Sequence, residues 1–160
     1  MLFRSEGHSN EELARLLTDK TLDLVLLPDP PASTDYKADK IGELTLVLAT
    51  TRKIRQSEAL AENYVYVDWG TAFANWHASK FGEHVAPTLH VNLASIALSK
   101  LLASGGSAFL PRSLVEAEPS LQRVSGSPSF RRPVFACYRE GNDRIDIIRQ
   151  VVDRLQGTLI

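Results

Sequence analysis

His77, His84 and His90 stand close together in the sequence, and such a group builds a metal site when two of its members share a helix face with a carboxylate. No spacing here does that. His77 falls on the face of an aromatic helix pattern and His90 inside a strand pattern, so all three read as structural or surface side chains, and no metal is expected. Nucleophilic chemistry has no better footing: there is no Gly-x-Ser-x-Gly elbow, and "ASGGSAF" lacks the Gly-Lys-Ser/Thr of a phosphate loop and leads into a strand instead of a helix. Cys137, inside "VFACYR", reads as a small buried hydrophobe. An enzyme would need a poised acid, base or nucleophile, and Asp29 and Asp68 are the only local candidates, so neither catalysis nor a cofactor is expected.

Binding chemistry has more support. Pro28, Asp29 and Pro30 follow the apolar run "LDLVLL"; Gly70 and Thr71 follow "YVYVDW"; Asn92, with Ser95 one turn on, follows "TLHV". Small hydrogen-bonding residues at such places sit beside helix N-termini, where free N–H groups and the macrodipole favour an anion or a carbonyl oxygen. The same residues also fit a plain capping role, with Asn92 and Thr71 as N-caps and Val91 and Ile96 forming a hydrophobic staple around Asn92. Gly105 and Gly106 read as a helix C-cap that needs positive φ and close helix-to-strand packing.

The elements that must position these residues alternate along the chain. Ser9 and Glu12 have capping-box spacing before Leu13, Leu16 and Leu17, which predicts a helix over Asn10 to Thr18. "LDLVLL" reads as a strand covered on both faces. After the proline-rich loop "PDPPASTDYKAD", "LTLVLAT" (Leu44 to Thr50) reads as the next strand. "YVYV" is a strand, followed by a helix carrying Phe73, Trp76 and His77 and ending at Gly82. "TLHVN" is a strand, then come a helix and a short strand ending at Pro111, the strand Arg131 to Arg139, and a last helix with Ile145, Ile148, Val151, Val152 and Leu155 at helical spacing. Such alternation predicts an α/β fold with a mostly parallel sheet.

Composition limits the function classes. A chain of 160 residues with 44% hydrophobic content buries one good core or two small ones. With 18 Lys+Arg against 19 Asp+Glu it has no basic excess with which to hold DNA unaided. One cysteine leaves no internal disulfide pair, the start "MLFRSEGHSN" shows no apolar signal segment, and no run approaches the ~20 apolar residues of a membrane span, so a cytoplasmic protein is expected.

Four stretches, in order, resemble the effector-binding domain of LysR-type transcriptional regulators. "IALSKLLASGGSAFLPRSLVE" resembles the family's helix, glycine pair and strand closed by Leu-Pro. "NEELARLLTDKTLDLVLLPDPP" is similar to its helix and "LDL" strand, with Lys20 where glycine is commoner; "LTLVLAT" is similar to the strand entering the first hinge and "RRPVFACYRE" to the strand returning from the second. "DWG" and the closing strand are nearest the family's HdfR-like branch. The resemblance implies two Rossmann-like, periplasmic-binding-protein-like (type 2) subdomains joined by two crossover strands, at residues 1–49 with 128–160 and 50–127. It implies a small-molecule effector held between them by Pro28, Asp29, Thr50, Thr51, Trp69, Gly70, Thr71, Asn92 and Pro111. Trp69 either fills part of that cleft or packs inside. It further implies a homo-oligomer that meets DNA only through an N-terminal winged helix-turn-helix, which this sequence lacks, together with the first strand and helix of the sensing domain; "LFRSEG" would then be the second strand. A stand-alone solute-binding protein and a small α/β enzyme are the alternatives.

Overall fold

The structure, a computed structural model, describes residues 4–82 and 85–156, so His84 lies outside the described residues. In chain order the elements are α1 (Asn10–Thr18), β1 (Leu24–Leu27), β2 (Lys37–Thr50), α2 (Gln56–Ala61), β3 (Tyr64–Val67), α3 (Thr71–Phe81), β4 (Leu89–Val91), α4 (Ala94–Ser104), β5 (Ser107–Pro111), α5 (Arg112–Ala117), β6 (Gln122–Arg123), β7 (Phe130–Tyr138) and α6 (Ile145–Gln156). Of the expected strand at "LFRSEG", residues 4–7 carry no regular structure, and its first two residues lie outside the described residues.

Two compact units divide the chain, residues 1–43 with 133–160 and residues 44–132. The divisions fall inside β2 and β7 instead of at 49/50 and 127/128, because Leu46 to Thr50 pair along β5 and belong to the second unit's sheet.

In the first unit α1 begins where the sequence places it. Ser9 Oγ accepts from the Glu12 N–H at 3.3 Å, but Glu12 turns its carboxylate to Arg15, at 2.6 Å, so only half of the capping box operates. The helix ends in a Schellman motif: Thr21 N–H donates to Leu16 O at 2.9 Å and Lys20 N–H to Leu17 O at 3.2 Å. That geometry puts Lys20 at φ 61, in the left-handed region that glycine occupies without cost. Leu17 packs with Val25, Leu27 and Cys137 under α1, in the antiparallel register that sets Val25 opposite Cys137 and Leu27 opposite Phe135. β1 is the outer strand of its sheet and Leu26 is 41% exposed, so the expectation of a strand covered on both faces fails there.

The second unit holds the strand order β2-β5-β3-β4, with β6 beside β2. β3 is parallel to β4 and to β5, whereas β2 runs antiparallel to β5 and β6. The sheet is therefore mixed, not mostly parallel. The parallel part is confined to β4-β3-β5, the segment whose strands are separated by the crossover helices α3 and α4. Leu46, Leu48, Val65, Phe73, Leu101 and Phe109 are fully buried in its core. At the end of α4, Gly105 takes φ 71 and Gly106 φ 119; a Cβ on Gly106 would collide with the carbonyl oxygen of Asn63, so both positive φ and close approach demand glycine here.

Candidate functional site

Because β3, β4 and β5 are parallel, Val67, Val91 and Pro111 end together on one edge of the second unit's sheet. The chain leaves β3 through Asp68, whose N–H donates to Val91 O at 2.8 Å and prolongs the pairing with β4. Its carboxylate then accepts from the Gly70 N–H at 2.9 Å, closing a tight turn. Gly70 stands at φ 99 and serves as the N-cap of α3, with no side chain to bond the helix's first N–H groups. Thr71 is the first residue of the helix, exposed, and not its cap. The N-cap of α4 is Leu93, extended at φ −125 and likewise without a side-chain bond. Asn92 thus precedes the cap, and neither residue fills the N-cap role the sequence allowed. The staple falls with it: Ile96 is 46% exposed and lines an open groove of about 360 Å³ with Asp68, His90, Val91 and Asn92.

Trp69 is drawn inward. Its relative exposure is 9%, its Nε1 donates to Phe109 O at 2.9 Å, and the Arg132 guanidinium lies 5.3 Å from its ring centroid. Arg132 Nε also donates to the Trp69 carbonyl at 2.9 Å. Of the two roles open to this indole, packing is the one adopted, against β5 and Arg132 instead of a helix. Pro111, half-buried, stands at the end of β5 on the same edge and precedes α5.

Thr50 and Thr51 are not brought to this edge. Leu46 faces Pro111 and Thr50 faces Ser107, which in turn pairs with Tyr64, the first residue of β3. Four residues at a strand's rise put Thr50 roughly 13 Å along the sheet from Pro111. Thr50 is buried there, and Thr51 Oγ1 lies beside Gly105. The grouping fails because β2 runs against its neighbour, a direction that residue types do not encode. Pro28, buried, and Asp29, exposed, follow β1 in the first unit.

Two residues at or next to the edge were passed over. His90 stacks on Tyr66 with centroids 4.4 Å apart, and burial together with the Asp68 carboxylate raises the Tyr66 pKa. Period-two alternation puts Tyr66, Asp68, His90 and Asn92 on one face once β3 and β4 are paired in register, a signal available only after the pairing is known. Arg132 is 63 residues from Trp69 and carries no local signal. Burial pushes the Cys137 thiol up to about 11, which leaves it protonated and inert at neutral pH. Among the described residues no group of three or more His, Cys, Asp or Glu could hold a metal ion, and no helix is long and apolar enough to cross a membrane.

The family model "LysR substrate binding domain" matches residues 4–159. The regulator HdfR of Salmonella schwarzengrund, an HTH-type transcriptional regulator, is 25% identical over 146 residues, covering 91% of this chain and 52% of that protein. The chain thus spans about half the length of the curated relatives it matches. Among solved structures, the regulatory domain of HypT from Salmonella typhimurium superposes with TM-score 0.73 at 10% identity, covering 96% of this chain and 82% of that one. Full-length LysG from Corynebacterium glutamicum, with bound effector Arg, gives TM-score 0.67 at 9% identity over 93% of this chain and 56% of that one. These likenesses give the fold, the two-unit periplasmic-binding-protein-like α/β architecture of LysR regulatory domains. The match over nearly the whole chain gives the family: this chain belongs to the LysR substrate-binding domains.

Proposed function

We propose that the chain is the effector-sensing part of a LysR-type regulator and takes a small molecule bearing a carboxylate or another oxygen-rich acceptor at the strand-end edge of the second unit. The observation that carries this reading is the pairing of two neighbouring helix starts, α3 and α4, neither of which has a side-chain cap. Their N–H groups are left for a ligand, and an acceptor is what satisfies them. Thr71 and Asn92, both exposed, supply side-chain hydrogen bonds, Gly70 lets the ligand approach the backbone, and Pro111 closes the edge. Trp69 acts from behind by fixing the turn. Thr50 and Thr51 have no part in it, given their place at the other end of the sheet.

The family match and the bound arginine of LysG support small-molecule sensing. In the intact regulator, a homo-oligomer in the cytoplasm, occupancy of the site would control DNA binding carried by another segment. Binding without turnover belongs to the same reading.

Thermal-shift screening of amino acids and small carboxylates, followed by calorimetry on hits, tests the reading. Thr71→Ala and Asn92→Ala should each weaken a genuine ligand by about ten- to a hundredfold, the worth of one hydrogen bond to a charged group. A ligand whose affinity ignores both substitutions and falls with Leu60→Ala or Phe81→Ala, in the groove between α2 and α3, would contradict it.

A further inference from the structure

His77 is an ionisable group that the strand-end site does not use, and its setting is unusual. It sits on α3 at 6% exposure, and among the described residues its ring's one hydrogen-bond partner is the Tyr64 hydroxyl, 2.9 Å from Nε2. Tyr64, at the start of β3, is itself 1% exposed. Five rings enclose the imidazole. From β3 come Tyr64, stacked at 5.7 Å, and Tyr66, edge-on at 5.4 Å; from α3 itself come Phe73 and Phe81; from β5 comes Phe109. His90 of β4 lies behind Tyr66, and Lys80 on α3 is exposed. Among the described residues no carboxylate faces the ring, and burial alone acts on it, holding its pKa below the usual histidine value.

We propose that His77 makes α3 an acid-releasable element: protonation of the buried imidazole breaks its bond with Tyr64 and frees α3, with the Gly70–Thr71 turn at its start, from the sheet.

The chemistry follows from donor counting. Among the described residues the buried Tyr64 hydroxyl has no partner but Nε2, so the tautomer that uses its proton is the one protonated at Nδ1, with Nε2 accepting from Tyr64. An imidazolium has no acceptor. Tyr64 would then have to accept, its own proton would be orphaned, and burial keeps the phenol from losing that proton. A charge enclosed by aromatic rings with no counter-ion is costly, and the cheapest relief is to let the helix swing the ring into water. The folded unit refuses a proton that the unfolded chain accepts near pH 6.5, so stability is whole above that pH and is lost as pH falls below it, at up to about tenfold in the opening equilibrium per pH unit. Since α3 carries the Gly70 turn, its release removes half of the strand-end donors. The inference stands whether or not that edge binds an effector, because its readouts are those of the fold.

Amide hydrogen exchange of the chain from pH 7.5 to 5, corrected for intrinsic rates, should show protection across α3 falling by about tenfold or more while α1 in the first unit keeps its own. The double variant His77→Phe/Tyr64→Phe, which removes imidazole and hydroxyl together, should keep α3 protected at pH 5. In wild-type protein, NMR should show His77 neutral in every folded molecule, its native signal losing intensity on acidification instead of moving. An imidazole that titrates in place near pH 6.5 with α3 still protected overturns the proposal. So does a double variant that loses protection as wild type does, and if that variant does not fold, the wild-type titration decides alone.

Discussion

The two units hold themselves together by unlike means. The second unit is built around one contiguous core in which strands β2, β5 and β3 and helices α3 and α4 meet through Leu48, Phe73, Leu101 and Phe109. The first packs Leu17, Val25, Leu27 and Cys137 under α1, also buries Ile41, Val134, Ala136, Tyr138, Ile148 and Val152, and adds polar ties between distant parts of the chain: Arg139 donates to Leu17 O at 2.6 Å, Tyr138 to Asp39 at 2.6 Å and Asn142 to Asp23 at 2.7 Å. Charge differs as well, with thirteen Asp and Glu against nine Lys and Arg in the first unit and six against nine in the second. A near-neutral whole therefore conceals an acidic unit and a basic one. The lesson is that the unit with the uncapped helix starts is the one whose apolar core can hold them rigidly, and its basic balance suits an acidic ligand.

The largest expected effect breaks the comparison at the core. Phe109→Ala should cost roughly 3–5 kcal/mol by transfer and cavity terms, since Phe109 is fully buried among Phe73, Trp76 and Phe81 and its carbonyl anchors Trp69. Urea unfolding followed by tryptophan emission reads it, because both tryptophans lie in that unit. Next is Arg139→Met, which keeps the stem and deletes the donors to Leu17 O and Leu22 O; about 1.5–3 kcal/mol should be lost, and exchange should rise in α1 before α3. Smaller and opposite in sign, Lys20→Gly should stabilise by about 1 kcal/mol, seen as a raised melting temperature, because glycine adopts φ 61 without the Cβ penalty. The Cys137 thiol, pushed up to about 11 by burial, should react with a disulfide reagent at pH 8 only after denaturation.

Some of this was legible in residue order and some was not. α1, β3, α3 and α6 follow their periodicity signals, and the glycine pair at 105 and 106 marks a backbone demand that is met as expected. β2 begins seven residues before its predicted start because Lys37 to Glu43 look like loop until Ile41 is seen buried. Two-turn helices such as α2 and α5 leave too little pattern to find. The site divides in the same way. Gly70, Thr71 and Asn92 stand where strands end, which periodicity finds; Thr50 and Thr51 were misgrouped because strand direction is decided by pairing. Trp69 was ambiguous until the Phe109 carbonyl and Arg132 claimed it, partners 40 and 63 residues away.

The central claim is that the second unit's strand-end edge takes the effector. Its most direct measurement is amide chemical-shift mapping of the isotope-labelled chain with a small molecule that raises its melting temperature. The expected result is that the perturbed amides concentrate at Gly70, Thr71, Ala72, Leu93, Ala94 and Ser95, the uncapped starts of α3 and α4. Perturbations centred instead on Gln56, Ser57, Lys80 and Val85, around the groove between α2 and α3, with the helix starts unmoved, would contradict the account.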